Sequence, residues 1–251
     1  MESKSLLTVN GQAISIPQAF SYLQASGRLQ EFVTEILRQH IIAYEFQTRD
    51  DLIVDPFLIE QALINFRIER QLTDPKIFQE WLERNGPVYA GFRAQTIYRL
   101  RLEKLKVLVS EPKLQEYFIE RKIFLDRVVL SEIAVADLEL AEELKSQLEE
   151  SASFEQLARE HSLAENRIVN GMIGPLSRGR MSDLLRSAID AASPGDVVGP
   201  IEIGERYCLF RVEQFLPATL EGKQQVQLQN EIFERWLAQK IQKMDVKLQD
   251  N

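Results

Sequence analysis

A chain of 251 residues with 45% hydrophobic and 27% charged residues is long enough for a sizeable core and too apolar for wholesale disorder. Its formal net charge of -8 argues against general nucleic-acid binding, which needs a basic surface to displace counterions. One cysteine, Cys208, and two histidines, His40 and His161, leave no disulfide framework and no cysteine or multi-histidine metal centre, so neither a metal nor a cofactor is expected.

The opening MESKSLLTVNGQAIS lacks the apolar core of a secretory leader, and no apolar run long enough to span a bilayer follows. A soluble, cytoplasmic protein without a membrane anchor is the expectation. LLTVNGQAIS is strand-like around an Asn10-Gly11 turn signal. Phe32, Ile36, Leu37, Ile41 and Tyr44 then recur at helical spacing, and Leu58, Ala62, Leu63 and Phe66 mark the next helix. A third is punctuated by Asp74 as N-cap, Pro75 at the first helical position and Gly86 at its end. A longer helix carries Phe92, Leu100, Leu105 and Leu108, and another begins near Glu111-Pro112 with Tyr117 and Phe118.

At about residue 124 the pattern changes. FLDRVVLSEIAV is β-branched and apolar, the signature of a buried strand. A helix with Ala141, Leu144 and Leu148 follows, then one opening with Ser153 and Gln156 at capping-box spacing. NGMIGPLSRGRM, residues 170–181, reads as a glycine loop holding Ile173, Pro175, Leu176 and Met181, and its spacing fits no phosphate cradle. It leads into a helix from near Ser182 with Leu184, Leu185, Ala188 and Ile189. SPGDVVGPIEIGERYCLFRV supplies turn signals and two short strands, the second from Tyr207 to Val212. From Leu220 to Leu248 the chain is helical again. Its two apolar ridges, Leu228 with Ile232 and Phe233 with Leu237 and Ile241, are expected to pack back onto the N-terminal helices.

The order of LSEIAV, a helix, SFEQLAREHS, NGMIGPLSRGRM, a helix and SPGDVVGPIEIGERYCLFRV resembles a parvulin (PpiC-type) peptidyl-prolyl cis–trans isomerase domain, over about residues 124–215. The flanking helices resemble those of SurA/PrsA-like chaperones, in which such a domain is inserted in a helical clamp. The resemblance implies an α+β fold. A parvulin-like small antiparallel or mixed sheet with helices would occupy 124–216, flanked by an all-α N-terminal module at 1–123 that the C-terminal helix, 217–251, completes. It implies a folding factor acting on X–Pro bonds of client polypeptides, which it would meet at proline-containing or apolar segments. By position, Ile173, Met181 and Leu185 match the residues that receive the proline ring, with Leu176 from the same loop beside them. Gly171, Gly174 and Gly179 would supply backbone shapes that β-carbons resist. Ordinary core packing is the other reading of Ile173, Met181 and Leu185.

The pattern breaks at the family's two histidines, one in the first strand and one in the last. Their positions hold Glu132 and Cys208. The family's aspartate or cysteine falls near Ala164 or Glu165, and the acid of its GGDLG segment is Met172. Rotation about an X–Pro amide meets a barrier of about 20 kcal/mol but needs no covalent bond to substrate, so these changes are expected to weaken turnover rather than abolish it. A carboxylate facing Cys208 would raise the thiol pKa and disfavour a thiolate nucleophile. Read without the resemblance, Cys208 is a small buried hydrophobe, Glu132 an exposed strand-edge charge, and His161 a helix-end residue facing the carbonyl dipole. His40 belongs to the surface or core of an amphipathic helix. A second function stays open: a non-catalytic chaperone or dedicated assembly factor that grips an extended client through the helical clamp and the former proline pocket.

Overall fold

The computed structural model describes residues 5–247. The chain divides into two compact units, one made of residues up to Leu114 together with those from Gln227 on, the other of Gln115–Val226. The second unit thus encloses residues 124–216 and extends beyond them at both ends.

The first unit opens with β1 (Ser5–Val9) and β2 (Gln12–Ser15), an antiparallel hairpin that turns at the expected Asn10-Gly11. Asn10 and Gly11 have φ of 50° and 82°, the left-handed pair that a two-residue hairpin turn requires. α1 (Ile16–Ala25) is capped by the Ser15 hydroxyl, which accepts from Gln18 N at 3.3 Å, and buries no residue. α2 (Leu29–Thr48) buries Ile41 and Ile42, and α3 (Pro56–Glu69) buries Leu63 and Phe66.

The helical run α4 (Pro75–Leu125) starts where expected, with Asp74 Oδ1 accepting from Lys76 N at 2.8 Å and Ile77 N at 3.0 Å. Asn85, at φ -124° and ψ 19°, interrupts it next to Gly86. Pro87 then falls in the first turn of the resumed helix, where a missing N–H leaves nothing unpaired. The break expected at Glu111-Pro112 does not occur: Pro112 lies within the helix, which forgoes one backbone hydrogen bond there.

α8 (Gly222–Gln242) buries Leu228, Ile232, Phe233 and Leu237. Phe233 and Leu237 share a core with Ile41, Ile42, Leu52 and Leu105, and Lys240 Nζ donates to Glu45 Oε1 at 2.7 Å. The helix ends before Leu248, which lies outside the described residues. Among those described, no helix is long and apolar enough to cross a membrane.

The second unit is built on four antiparallel strands in the order β4-β3-β6-β5: β3 (Arg127–Val135), β4 (Met172–Ser177), β5 (Val197–Ile203) and β6 (Arg206–Leu216). α5 (Leu138–Glu149) and α6 (Phe154–His161) supply the core of one face, where Ile133, Val135 and Leu209 meet Leu144, Phe154 and Leu157. α7 (Asp183–Asp190) brings Leu185 and Ile189 to the other, against Val128, Leu130, Ala134, Cys208 and Phe210. Both faces of β3 are covered, which is why its sequence is a continuous apolar run rather than an alternating one.

Two expectations change here. The strand begins at Arg127 rather than 124, because α4 carries on through Leu125. The glycine loop is, for half its length, the edge strand β4. Pro175 can sit there because an edge position leaves its missing donor on the unpaired side. Buried Asp126 ties the surroundings together. Its carboxylate accepts from Lys122 Nζ at 2.7 Å and from Ala218 N at 2.8 Å, while its carbonyl accepts from Arg178 N at 3.1 Å.

Candidate active site

The interior neighbours β3 and β6 set Ala134 opposite Cys208 and Glu132 opposite Phe210. Glu132 and Cys208 are therefore diagonal neighbours on the face that α7 covers, within side-chain reach. The strand-edge reading of Glu132 does not hold, since β3 is paired on both sides. Cys208 is 2% exposed, and the charge of the neighbouring Glu132 carboxylate bears on its thiol. Burial first, and the Glu132 charge after it, push that thiol up to about 12. It is consequently neutral at any ordinary pH, and no thiolate nucleophile is available.

Half-buried Glu132 has a second partner that the sequence did not reveal. Asn166, in a 3-10 turn over Glu165–Val169, donates from Nδ2 to Glu132 Oε2 at 3.2 Å and to the Gly171 carbonyl at 3.2 Å. The backbone closes the arrangement: Glu132 N donates to Gly171 O at 2.7 Å, and Gly171 N to Asn166 O at 2.9 Å. Asn166 Oδ1 is buried and accepts no hydrogen bond. No periodic or motif signal marks Asn166; only the fold of its turn against β3 does.

Gly171 is required twice over. Its φ is +78°, and a β-carbon would lie 2.5 Å from the Glu132 carbonyl oxygen. Gly174, at φ +72°, has open space around it. Gly179 differs from the expectation, because its φ is not left-handed. What it supplies is room, since a β-carbon there would enter the Phe124 ring.

Ile173, Leu176, Met181 and Ala164 are partly buried against the cluster that contains Leu185 and Cys208. Strict alternation would send Ile173 and Leu176 to opposite faces. The register shift between Leu130 and Ser131 lets both pack on the same one. Leu176 is paired with Val128, four positions from Glu132 and so roughly 13 Å along the strand. Leu176 is therefore not gathered around the Glu132–Cys208 pair. Met172 and Glu165 are exposed. His161 is the last residue of α6, 3.9 Å from Glu160, and His40 is exposed on α2 in the other unit.

A cavity of about 530 Å³ in this unit lies elsewhere, lined by Lys145, Leu148, Ala188, Ala192 and Val197 among others. On the opposite face, Arg211 bonds Glu155 at 2.7 Å and Glu213 at 2.8 Å over the Phe154 ring. Its guanidinium holds the Glu155 carboxyl down to about 2. Among the described residues no group of three or more His, Cys, Asp or Glu could hold a metal ion. What the site offers chemically is an apolar surface beside a fixed carboxylate, without a nucleophile.

Residues 132–214 match the Rotamase family model, the PPIC-type PPIase domain. The chain carries a PPIC-type PPIase domain. Both altered positions, Glu132 and Cys208, fall inside the PPIase domain. The chain is similar to Foldase protein PrsA 2 of Listeria innocua, 25% identical over 194 residues that make up 75% of this chain and 62% of that protein. It is also similar to Chaperone SurA of Pseudomonas aeruginosa, 25% identical over 159 residues, 55% of this chain and 38% of that one. Thus the chain spans less than two thirds of the length of these curated relatives. Among solved structures, PrsA of Bacillus cereus is 15% identical with a TM-score of 0.42, the match covering 100% of this chain and 95% of that one. The SurA-like chaperones of Campylobacter jejuni are represented at 18% identity and a TM-score of 0.36, covering 98% of this chain and 100% of that one.

Proposed function

We propose that this chain is a peptidyl-prolyl cis–trans isomerase folding factor, acting on X–Pro bonds of client polypeptides through a modified and slow active site. The observation that carries the reading is the placement of Ile173, Met181 and Leu185 in one apolar cluster with Cys208, on the sheet face that Glu132 shares, inside the matched PPIase domain. Ile173 and Met181 keep part of their surface free, and a proline ring would rest against them. An isomerase lowers the barrier of about 20 kcal/mol by holding the twisted amide where little water competes, so no nucleophile or proton transfer is needed. Glu132 and neutral Cys208 act on the shape and polarity of the site rather than as reacting groups. The loss of the family's histidine pair is the reason to expect slow turnover. A cytoplasmic location belongs to the proposal, and cell fractionation tests it.

The deciding experiment is a protease-free isomerisation assay on short proline peptides. Turnover above the uncatalysed rate, reduced by Met181→Ala, supports the reading; a rate equal to the uncatalysed one sinks it.

A second reading, a non-catalytic chaperone, is favoured by the first unit. Ser5–Gly27 contains no charged residue, and Leu6, Leu7, Val9 and Tyr22 within it are exposed. A cavity of about 670 Å³ there is lined by Leu7, Ile14, Ala19, Tyr22 and Leu23, together with Ser26 and Arg28. Suppressed aggregation of a proline-free client, in the absence of turnover, selects this alternative.

A further inference from the structure

The carboxylate in the candidate active site has no ion-pair partner among the described residues. Glu132 is half-buried, and the side-chain hydrogen bond it accepts comes from Asn166 Nδ2, a neutral donor, with the buried Cys208 thiol on the same sheet face. Among the described residues no lysine or arginine forms an ion pair with it. Several of the unit's cations are engaged elsewhere. Arg211 lies on the opposite face with Glu155 and Glu213, Arg178 bonds Asp126 and Asp190, and Arg186 pairs with Asp183. Arg206, two positions from Cys208 on β6, is near enough for its charge to bear on that thiol, but it forms no ion pair with Glu132. Its Nη1 donates to the Leu163 carbonyl at 3.4 Å. Arg167 and Arg180 are exposed, where solvent and salt screen them.

A half-buried carboxylate acts on its surroundings more strongly than a surface one, because less water stands between it and an arriving charge. We infer that Glu132 selects clients in which a lysine or arginine flanks the proline. The apolar stem of such a side chain would lie over Ile173 and Met181 while its cationic head meets the carboxylate. Asn166 is the positioning residue, since its amide fixes Glu132 Oε2 and the turn at Gly171 together. An acidic or phosphorylated neighbour is disfavoured by the same charge. This inference rests on the isomerase site proposed above and names the client chemistry that site prefers.

The test uses the full chain and two peptide series, Ala-Xaa-Pro-Phe and Ala-Ala-Pro-Xaa, with Xaa as Lys, Arg, Leu or Glu. Isomerisation and binding, the latter by fluorescence anisotropy of labelled peptides, are read in parallel. In at least one series the basic peptides are expected to exceed leucine and glutamate roughly five- to tenfold in kcat/KM and in affinity, an advantage that shrinks with added salt. Glu132→Gln, which preserves the side-chain shape and an acceptor for Asn166, is expected to erase that ratio. Equal values for lysine and leucine in both series, or a ratio unchanged in Glu132→Gln, overturns the inference. If no peptide turns over but basic peptides bind preferentially, the isomerase reading falls while the selectivity stands. Absence of any binding overturns both.

Discussion

Replacing Gly171 by alanine tests the arrangement around Glu132 most directly. Two separable costs arise. Holding an L-residue at φ +78° costs about 1–2 kcal/mol. The new methyl, 2.5 Å from the Glu132 carbonyl oxygen, meets the backbone of an interior strand that cannot swing aside, and forced repacking of this kind costs about 1–3 kcal/mol. Together they give about 2–5 kcal/mol, a large part of the 5–15 kcal/mol that holds a typical domain folded. Gly174→Ala is the control: its φ of +72° imposes the same conformational cost, but nothing lies within 4 Å of the added atom. The gain from stiffening the unfolded chain is common to both variants and cancels in the comparison. Native-state hydrogen exchange of the β3 amides reads the stability of this unit without interference from Trp81 and Trp236, which lie in the other. Gly171→Ala should lower protection by about 1–3 kcal/mol more than Gly174→Ala does. Equal losses in the two variants would refute the clash and with it the tight closure of Gly171 on β3.

Three further outcomes are expected. Asp126→Ala should destabilise the second unit by about 2–3 kcal/mol, because Ala218 N loses its acceptor and Lys122 its carboxylate; hydrogen exchange near Ala218 checks it. Gly179→Ala should be costly in the native protein and nearly free in a Phe124→Ala background, so a double-mutant cycle in urea should return a coupling of about 1 kcal/mol or more. Cys208 bears on alkaline stability. Below pH 9 its thiol is neutral in both the folded and unfolded chain, whereas above it the unfolded thiol ionises and the folded one, held up to about 12, does not. The stability associated with it is therefore lost as pH rises from 9 to 12, and Cys208→Ala should flatten that part of the urea-midpoint profile. A slope identical to that of the unaltered protein would contradict the buried thiol.

Elements announced by caps and turns are legible in the sequence: Asn10-Gly11, Asp74-Pro75, Ser153 and Ser182 each mark the start or turn that their residue types promise. Others fail for identifiable reasons. α1 was not anticipated, although Ile16, Ala19, Phe20 and Leu23 recur in it at helical spacing, and none of its residues is fully buried. Pro112 suggests a break that the neighbouring helical residues override. Residues 172–177 have the glycine and proline of a loop and are a strand only because β3 pairs with them. The site is legible in the same uneven way. Glu132, Cys208, Ile173, Met181 and Leu185 were named from a resemblance, and the strand register explains how residues so far apart in the chain reach one face. Asn166 was invisible, since a lone asparagine in an aperiodic stretch carries no signal until its amide is seen between Glu132 and Gly171.

Lys122 and Ala218 are separated by most of the second unit, yet Asp126 grasps both, and Lys122 Nζ also reaches the Ala218 carbonyl at 3.5 Å. The polypeptide consequently enters and leaves the isomerase-like module through a single doorway. A module whose two ends meet can be cut out, joined by a short linker, or lodged in another host's loop without unthreading either partner. One acidic side chain acts as the latch on that doorway.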